Sequence, residues 1–577
     1  MTVNGGVGSL ARRALGAPVR AARSLRVPRR TILELDLEEG LIEHLPEDPA
    51  AALLARRQLL VRDVVEALHR AANDERVVAL IARIGAGAMG LAQVEEVREA
   101  VRLFRRSGKP AVVFSETFGE GTPGHAGYYL ATAFDEIYLQ PSGDVSLTGL
   151  LAPAPFARRM LDKLGVTPRM DHRYEYKNAL NLFTEEELTE PHREALEAVI
   201  ESLFTHIVEG VARARGMTPA WARETIGRGP FYGAEAVEAR LVDGLVYRDE
   251  LYDHLKARFP GASFLYLDTY LKRAGRPYAQ GETIALIYGV GGVARGESKF
   301  SPLTRGTTMG ARSVSAAFRK AIADRSVRAI LFRVDSPGGS YVASDTIWRE
   351  TVRARQAGKP VIVSMGNVAG SGGYFVAMSA DRIVAQPSTI TGSIGVLSGK
   401  MLTRELWEKL GITFDEVEEG GHATMWTSLR DYSPEEWQRL QDALDRIYED
   451  FTARVAEGRG MTREQVHEIA RGRIWSGTDA RRLGLVDELG GMSTALRLAR
   501  EVAGIAPDAD VHLKVYAEEK PFLKRLLGMR PESSEPAAAS VLATSLLDAA
   551  EPLLREARRA GLLGHPGVLS MPDIGLL

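Results

Sequence analysis

The chain has 577 residues, 26% of them charged and 45% hydrophobic, the composition of an ordinary globular protein of about two to four domains rather than of a disordered or fibrous one. Its 73 basic and 75 acidic residues leave a net charge of -2, so no global field recruits nucleic acid. The absence of cysteine excludes thiol nucleophiles, disulfides and cysteine-based zinc sites.

The first thirty residues hold seven arginines (Arg12, Arg13, Arg20, Arg23, Arg26, Arg29 and Arg30) and no acidic residue. They contain no continuous apolar run, which predicts neither a spanning helix nor a secretory signal. Residues 1–30 are expected to form a basic arm, either a disordered tail or one that lies on an anionic membrane surface with Leu10, Leu15 and Leu25 as apolar contacts. No later stretch reaches the ~20 apolar residues that a bilayer crossing needs.

Beyond the arm the chain repeats itself. DERVVALIAR at 74–83 returns as DRSVRAILFR at 324–333, and Gly108-Lys109-Pro110 returns at the same offset as Gly358-Lys359-Pro360. FDEIYLQPSGDVSLTGL from Phe134 matches ADRIVAQPSTITGSIGV from Ala380. A first repeat is expected over 31–258, a glycine-rich connection over 259–282 and a second repeat over 283–509. A tail of unassigned role follows over 510–577, with a linker-like stretch at 531–536.

Within each repeat short β-rich runs alternate with amphipathic helical stretches. Residues 77–84 and 111–114 read as strands, and Val94, Val97, Val101 and Phe104 form one helical face. Strand-helix alternation predicts an α/β fold with a largely parallel sheet in each repeat. Longer helices follow, carrying Leu196, Ile200, Leu203 and Ile207 in the first repeat and Trp437, Leu440, Leu444, Ile447 and Phe451 in the second. Ser433, Pro434 and Glu436 form a helix-start signature, with serine as cap, proline in the first turn and glutamate completing a capping box.

In the second repeat a β-rich run at 361–364 leads into Gly370-Ser371-Gly372-Gly373-Tyr374 and a helical stretch. A serine between glycines at such a junction lets a substrate backbone approach closely, although a glycine turn that merely packs tightly has the same sequence. The aligned position of the first repeat is His125. A second glycine turn, Asp335-Ser336-Pro337-Gly338-Gly339-Ser340, follows a strand, and exposed amides at Gly338, Gly339 and Gly372 can form an oxyanion hole. A serine nucleophile needs a base, and no histidine lies between Ser371 and His422; the sequence also lacks an HExxH zinc signature. Lys177, in Tyr174-Glu175-Tyr176-Lys177-Asn178-Ala179, is a candidate if burial lowers its pKa, but local sequence alone does not separate it from solvated surface lysines.

DSPGGS at 335–340, AGSGGYF at 369–375, TGSIGV at 391–396 and YKNAL at 176–180 together resemble the signal peptide peptidase A family in its long, internally duplicated form. The likeness spans about residues 31–505. The resemblance implies two tandem Clp protease/crotonase-like repeats, with Ser371 as nucleophile, Lys177 as general base and Ser393 orienting the lysine. It also implies that Gly338, Gly339 and Gly372 surround the oxyanion, that no cofactor or metal is needed, and that a homotetramer of a bacterial protein cleaves signal peptides and other unfolded peptides. Relatives in this family commonly carry a membrane anchor, whereas this sequence offers only the basic arm, so a peripheral-membrane or cytoplasmic placement is expected. Two other readings stay open: a crotonase-fold acyl-thioester enzyme that stabilises an enolate with paired amides, and a non-catalytic membrane-associated scaffold.

Overall fold

The computed structural model describes residues 26–45, 58–85, 87–301, 306–517 and 569–570. Most of the predicted basic arm, Leu10, Leu15 and Leu25 included, and the stretch 531–536 lie outside them. The chain forms two compact units, one from described residues up to 42, from 58 to 149 and from 207 to 279, the other from 43–45, 150–206 and 280 onward.

The first unit is built on a six-stranded sheet. Its order is Gly244–Leu245, Glu136–Leu139, Ala111–Ser115, Val77–Ile84, Thr31–Leu37 and Ser263–Tyr266, and every neighbouring pair is parallel. Parallel neighbours need crossovers, and the helix Leu91–Arg106 supplies one, burying the predicted stripe of Val94, Val97, Val101 and Phe104. Val77–Ile84 reads VVALIARI and is buried along most of its length, as a strand covered on both faces should be. Residues 259–282, expected as a connection, hold the edge strand Ser263–Tyr266 and the helix Leu267–Ala274, whose Leu267, Tyr270 and Leu271 are buried.

An eight-stranded sheet forms the second unit, with Ile474–Ser476, Ile390–Gly392, Val361–Gly370, Val327–Ser336, Glu282–Val290 and Val511–Val515 along its main path. Arg382–Ala385 pairs with Val361–Gly370 and with Glu488–Leu489. All these pairings are parallel except that of Ile474–Ser476. The helix Pro434–Arg459 buries Leu440, Leu444, Ile447 and Phe451 in this unit's core, with Trp437 partly buried beside them. It begins where the sequence signature placed it: Ser433 Oγ accepts from the Glu436 amide at 3.2 Å, and Glu436 Oε2 accepts from the Ser433 amide at 2.8 Å.

Residues 150–206 come from the first repeat of the sequence but fold with the second unit. Their strand Thr167–Arg173 pairs antiparallel with Val396–Leu402, with Arg173 opposite Val396. A smaller sheet of the same unit orders Lys299–Ser301, Gly306–Gly310, Gly292–Ala294, Gly338–Gly339 and Leu569–Ser570. Among the described residues no helix is long and apolar enough to cross a membrane.

Candidate active site

The strand Val361–Gly370 runs further than the β-rich run at 361–364, because Val368, Ala369 and Gly370 continue the ladder against Ile390, Thr391 and Gly392. That register sets Gly370 beside Gly392, so the two serines that follow, Ser371 and Ser393, emerge next to each other. The Ser371 amide donates to Gly392 O at 2.8 Å, and Thr391 Oγ1 donates to Ala369 O at 2.7 Å. Both serines take left-handed backbone angles, φ 53° at Ser371 and 50° at Ser393. Such conformations cost non-glycine residues on the order of 1–3 kcal/mol and persist only where surrounding bonds enforce them. Ser371 then opens the short helix Gly372–Phe375, anchored by Tyr374 Oη donating to Leu485 O at 2.9 Å.

Lys177 reaches this point through the segment that follows Thr167–Arg173. Its neighbour Tyr176 donates its amide to Arg471 O at 3.1 Å, the Gly472 amide donates to Ile394 O at 2.8 Å, and the Ser393 amide donates to Arg473 O at 2.7 Å. Residues 471–473 thus tie the lysine segment to the Ser393 segment. Gly472, at φ +86°, has to be glycine here, since a Cβ on it would fall 2.5 Å from the backbone nitrogen of Lys177.

The result brings three of the predicted residues into direct contact. Lys177 Nζ lies 2.8 Å from Ser371 Oγ, 3.0 Å from Ser393 Oγ and 2.9 Å from Ser393 O, and all three side chains are 0% exposed. Burial alone pushes the Lys177 amine well below the usual lysine range. A neutral amine has two N–H donors and one lone pair. Two bonds to the Ser393 oxygens use the donors, which leaves the lone pair for the Ser371 hydroxyl, the arrangement a general base requires.

The glycine turn lies beside the serine. A Cβ on Gly372 would meet Ser344 Oγ at 2.7 Å, the Gly339 nitrogen at 3.1 Å and Gly338 Cα at 3.2 Å, so the three predicted glycines share one small space. Gly338 and Gly339 have φ of 100° and 151°. The Gly338 amide donates to Ser336 Oγ at 3.2 Å.

Three contributors were not singled out by sequence reasoning. Besides Gly472, Asp335 accepts the Val368 amide at 2.9 Å and so fixes the strand that leads into Ser371. Burial, with the Glu43 carboxylate adding to it, pushes the Asp335 carboxyl up to about 7. Arg333 stands beneath it, 0% exposed and paired with Glu43 at 2.9 Å, and donates to Ser364 Oγ at 2.8 Å. The motif at 335–340 is the signal that could have found Asp335, although its glycines are the more obvious feature. Among the described residues no His, Asp or Glu cluster is placed to hold a metal ion.

The sequence signature of Peptidase family S49 matches residues 103–259 and again 353–506. The chain is similar to Protease 4 of Salmonella typhi, 31% identical over 531 residues that span 87% of this chain and 82% of that protein. It is also similar to the chloroplastic serine protease SPPA of Arabidopsis thaliana, 31% identical over 453 residues, 77% of this chain and 66% of that one, just under two thirds of its length. Among solved structures it is similar to a ClpP1 mutant from Listeria monocytogenes at 16% identity and a TM-score of 0.23, over 37% of this chain and 94% of that chain.

Proposed function

The chain belongs to Peptidase family S49 and is a serine peptidase, and from that premise we propose that it cleaves signal peptides and other unfolded peptides with Ser371 as nucleophile and Lys177 as general base. The observation that carries this reading is the 2.8 Å contact between Lys177 Nζ and Ser371 Oγ, two side chains that are both fully buried. As Oγ attacks a peptide carbonyl carbon, its proton passes to the Lys177 lone pair and a C–O bond forms. The resulting ammonium returns that proton to the leaving amide nitrogen, the C–N bond breaks, and an ester to Ser371 remains. Water then gives a proton to the amine and attacks the ester, and Oγ leaves with the proton restored.

In this reading Ser393 holds the amine in place through both its oxygens, and its carbonyl stabilises the transient ammonium. Amides of Gly339 and Gly372, with Gly338 once it leaves Ser336, receive the oxyanion. Repeats over 31–258 and 283–509, joined through 259–282, supply lysine and serine respectively. A homotetramer and contact of the basic arm with an anionic membrane surface, as a peripheral or cytoplasmic protein, belong to the same proposal. The test is labelling with a fluorophosphonate serine probe. Adduct mass at Ser371, lost in Ser371→Ala and Lys177→Ala, is the expected result; equal labelling of all three proteins overturns the dyad.

A further inference from the structure

The sequence assigns no role to residues 510–577, yet their one described strand after Val511–Val515 lies beside the nucleophile. Leu569–Ser570 pairs antiparallel with Gly338–Gly339, Ser570 opposite Gly338 and Leu569 opposite Gly339. It also lies close to Val396–Leu402, the strand that follows Ser393. All of these residues belong to the second unit.

Gly338–Gly339 is an edge built to take an extended chain. One side is committed to Gly292–Ala294, with Val293 opposite Gly339. The other side presents main-chain donors and acceptors, and having no side chains it leaves the backbone bare. A peptide added there gains affinity from main-chain bonds that any sequence offers, which suits an enzyme acting on many unfolded peptides. The edge also passes the reacting atoms: Gly338 Cα lies 3.2 Å from where a Cβ on Gly372 would stand, and Gly372 follows the nucleophile. A peptide added as a strand here runs between Gly338–Gly339 and Val396–Leu402, past Ser371.

We propose that the segment around Leu569–Ser570 occupies the peptide groove of its own chain as an extended strand and competes with substrate for it. The proposal rests on the Ser371/Lys177 reading for the position of the groove, though not for the docking itself. Residues 566–572, PGVLSMP, carry no charge and are mainly apolar, the character of the peptides proposed as substrates. Residues 518–568 separate the strand from the core, and a chain spans up to about 3.3–3.6 Å per residue, so reach from the core to the groove is no obstacle. A tethered segment acts at an effective concentration on the order of millimolar, enough to hold off free peptides at lower concentrations even when its own affinity is modest.

The experiment compares the full chain with a chain ended after residue 560 and with a Leu569→Pro, Ser570→Pro double variant, which keeps the length but removes both amide donors. Hydrogen exchange is read at Gly339, since the Gly338 amide is held by Ser336, together with kcat/KM on an uncharged fluorogenic peptide. Both altered chains should exchange faster at that glycine and show kcat/KM raised by about tenfold, through KM. A synthetic peptide of residues 560–577 should reverse both changes in the shortened chain. Unchanged exchange in both altered chains overturns the proposal, whatever the activity. Suppression that disappears when the full chain is diluted also overturns it, because a segment acting on its own chain is independent of concentration. If exchange changes as expected but the fluorophosphonate labels no form at Ser371, docking stands and the dyad falls. If Ser371 is labelled while exchange stays unchanged, the dyad stands and docking falls.

Discussion

The two repeats carry the same framework bonds and differ where chemistry is concentrated. In the first, Tyr128 Oη donates to Leu241 O at 2.8 Å; in the second, Tyr374 Oη donates to Leu485 O at 2.9 Å. Arg215 pairs with Asp243 at 2.9 Å, and Arg459 with Asp487 at 2.7 Å. Those two aspartates each accept a strand amide at 2.7 Å, from Ile137 and from Ile383. Lys109 donates to Asp74 O and Lys359 to Asp324 O. Against this sameness, His125 stands where the second repeat has Ser371, Leu147 where it has Ser393, and Gly85 where it has Asp335. His125 Nε2 accepts from the Gly149 amide at 3.1 Å, and burial pushes its pKa down to about 4, so it is a neutral, inward-facing framework group. Framework bonds fix a backbone wherever the fold is used, whereas a buried amine against a strained serine is a liability that, among the described residues of the two repeats, stands at Lys177 and Ser371.

The largest effect that sharpens this contrast is at the amine. Lys177→Met should lower kcat/KM by roughly 10²–10⁴-fold or more, as loss of a general base does. Stability should move the other way. The depressed amine binds its proton less tightly folded than unfolded, so at neutral pH it opposes folding, and that opposition fades as pH rises toward the ordinary lysine pKa. Lys177→Met should therefore melt higher than the parent, by more at pH 6 than at pH 10, in calorimetric scans. An equal or lower melting temperature at pH 6 contradicts the buried neutral amine. In the parent, kcat/KM should rise with pH through a limb lying below the ordinary lysine range.

Next in size is Gly472→Ala. A Cβ 2.5 Å from the backbone nitrogen of Lys177 has to displace the lysine segment, and a misplacement of about 1 Å at a reacting group costs on the order of 10²-fold. Gly108, at φ +81° in the first unit, has nothing within reach of a Cβ. Gly108→Ala should leave kcat unchanged while lowering stability slightly through backbone strain alone.

These positions mark what the sequence could and could not reveal. The duplication was legible because turn signals such as Gly108-Lys109-Pro110 and buried runs such as VVALIARI recur at fixed spacing. Ser371 was legible because a glycine-flanked serine after a strand is a local pattern. Lys177 was less so: its partly apolar neighbours made it a candidate base, but local sequence does not separate a buried lysine from a solvated one, and the family resemblance carried the choice. Gly472 and Leu569–Ser570 matter through pairings with residues hundreds of positions away, and a two-residue strand has no alternation to read. The run at 361–364 understated its strand because glycines and an asparagine at 366–370 look like a loop until Ile390–Gly392 pairs with them.

A smaller effect tests Asp335, whose counterpart is Gly85. Its carboxyl, raised to about 7, holds a proton more tightly folded than unfolded. Its contribution to stability is thus complete below the ordinary aspartate pKa near 3.8 and is lost as pH rises to about 7. Asp335→Asn keeps an acceptor for the Val368 amide and removes the titration. Relative to the parent, it should gain stability steadily from pH 4 to pH 7 in denaturant melts, with Glu43 and Arg333 present in both. A difference that stays flat over that range means that Asp335 remains ionised in the folded protein.

The smallest expected change asks whether the framework bonds are equivalent in the two repeats. Tyr128 and Tyr374 are both fully buried, and burial pushes each phenol far above its ordinary pKa, so each donates as a neutral hydroxyl throughout the accessible pH range. Phenylalanine in either place leaves the ring packed and strands one carbonyl, of Leu241 or Leu485, at a penalty of about 1–3 kcal/mol. Tyr128→Phe and Tyr374→Phe should therefore lower stability alike. Activity should separate them, because Tyr374 anchors the helix that starts at Ser371 and Tyr128 the one that starts at His125. A drop in kcat confined to Tyr374→Phe, at matched loss of stability, assigns the tyrosine of the second repeat a positioning role that its twin in the first repeat lacks; equal kcat in the two variants reduces both to framework.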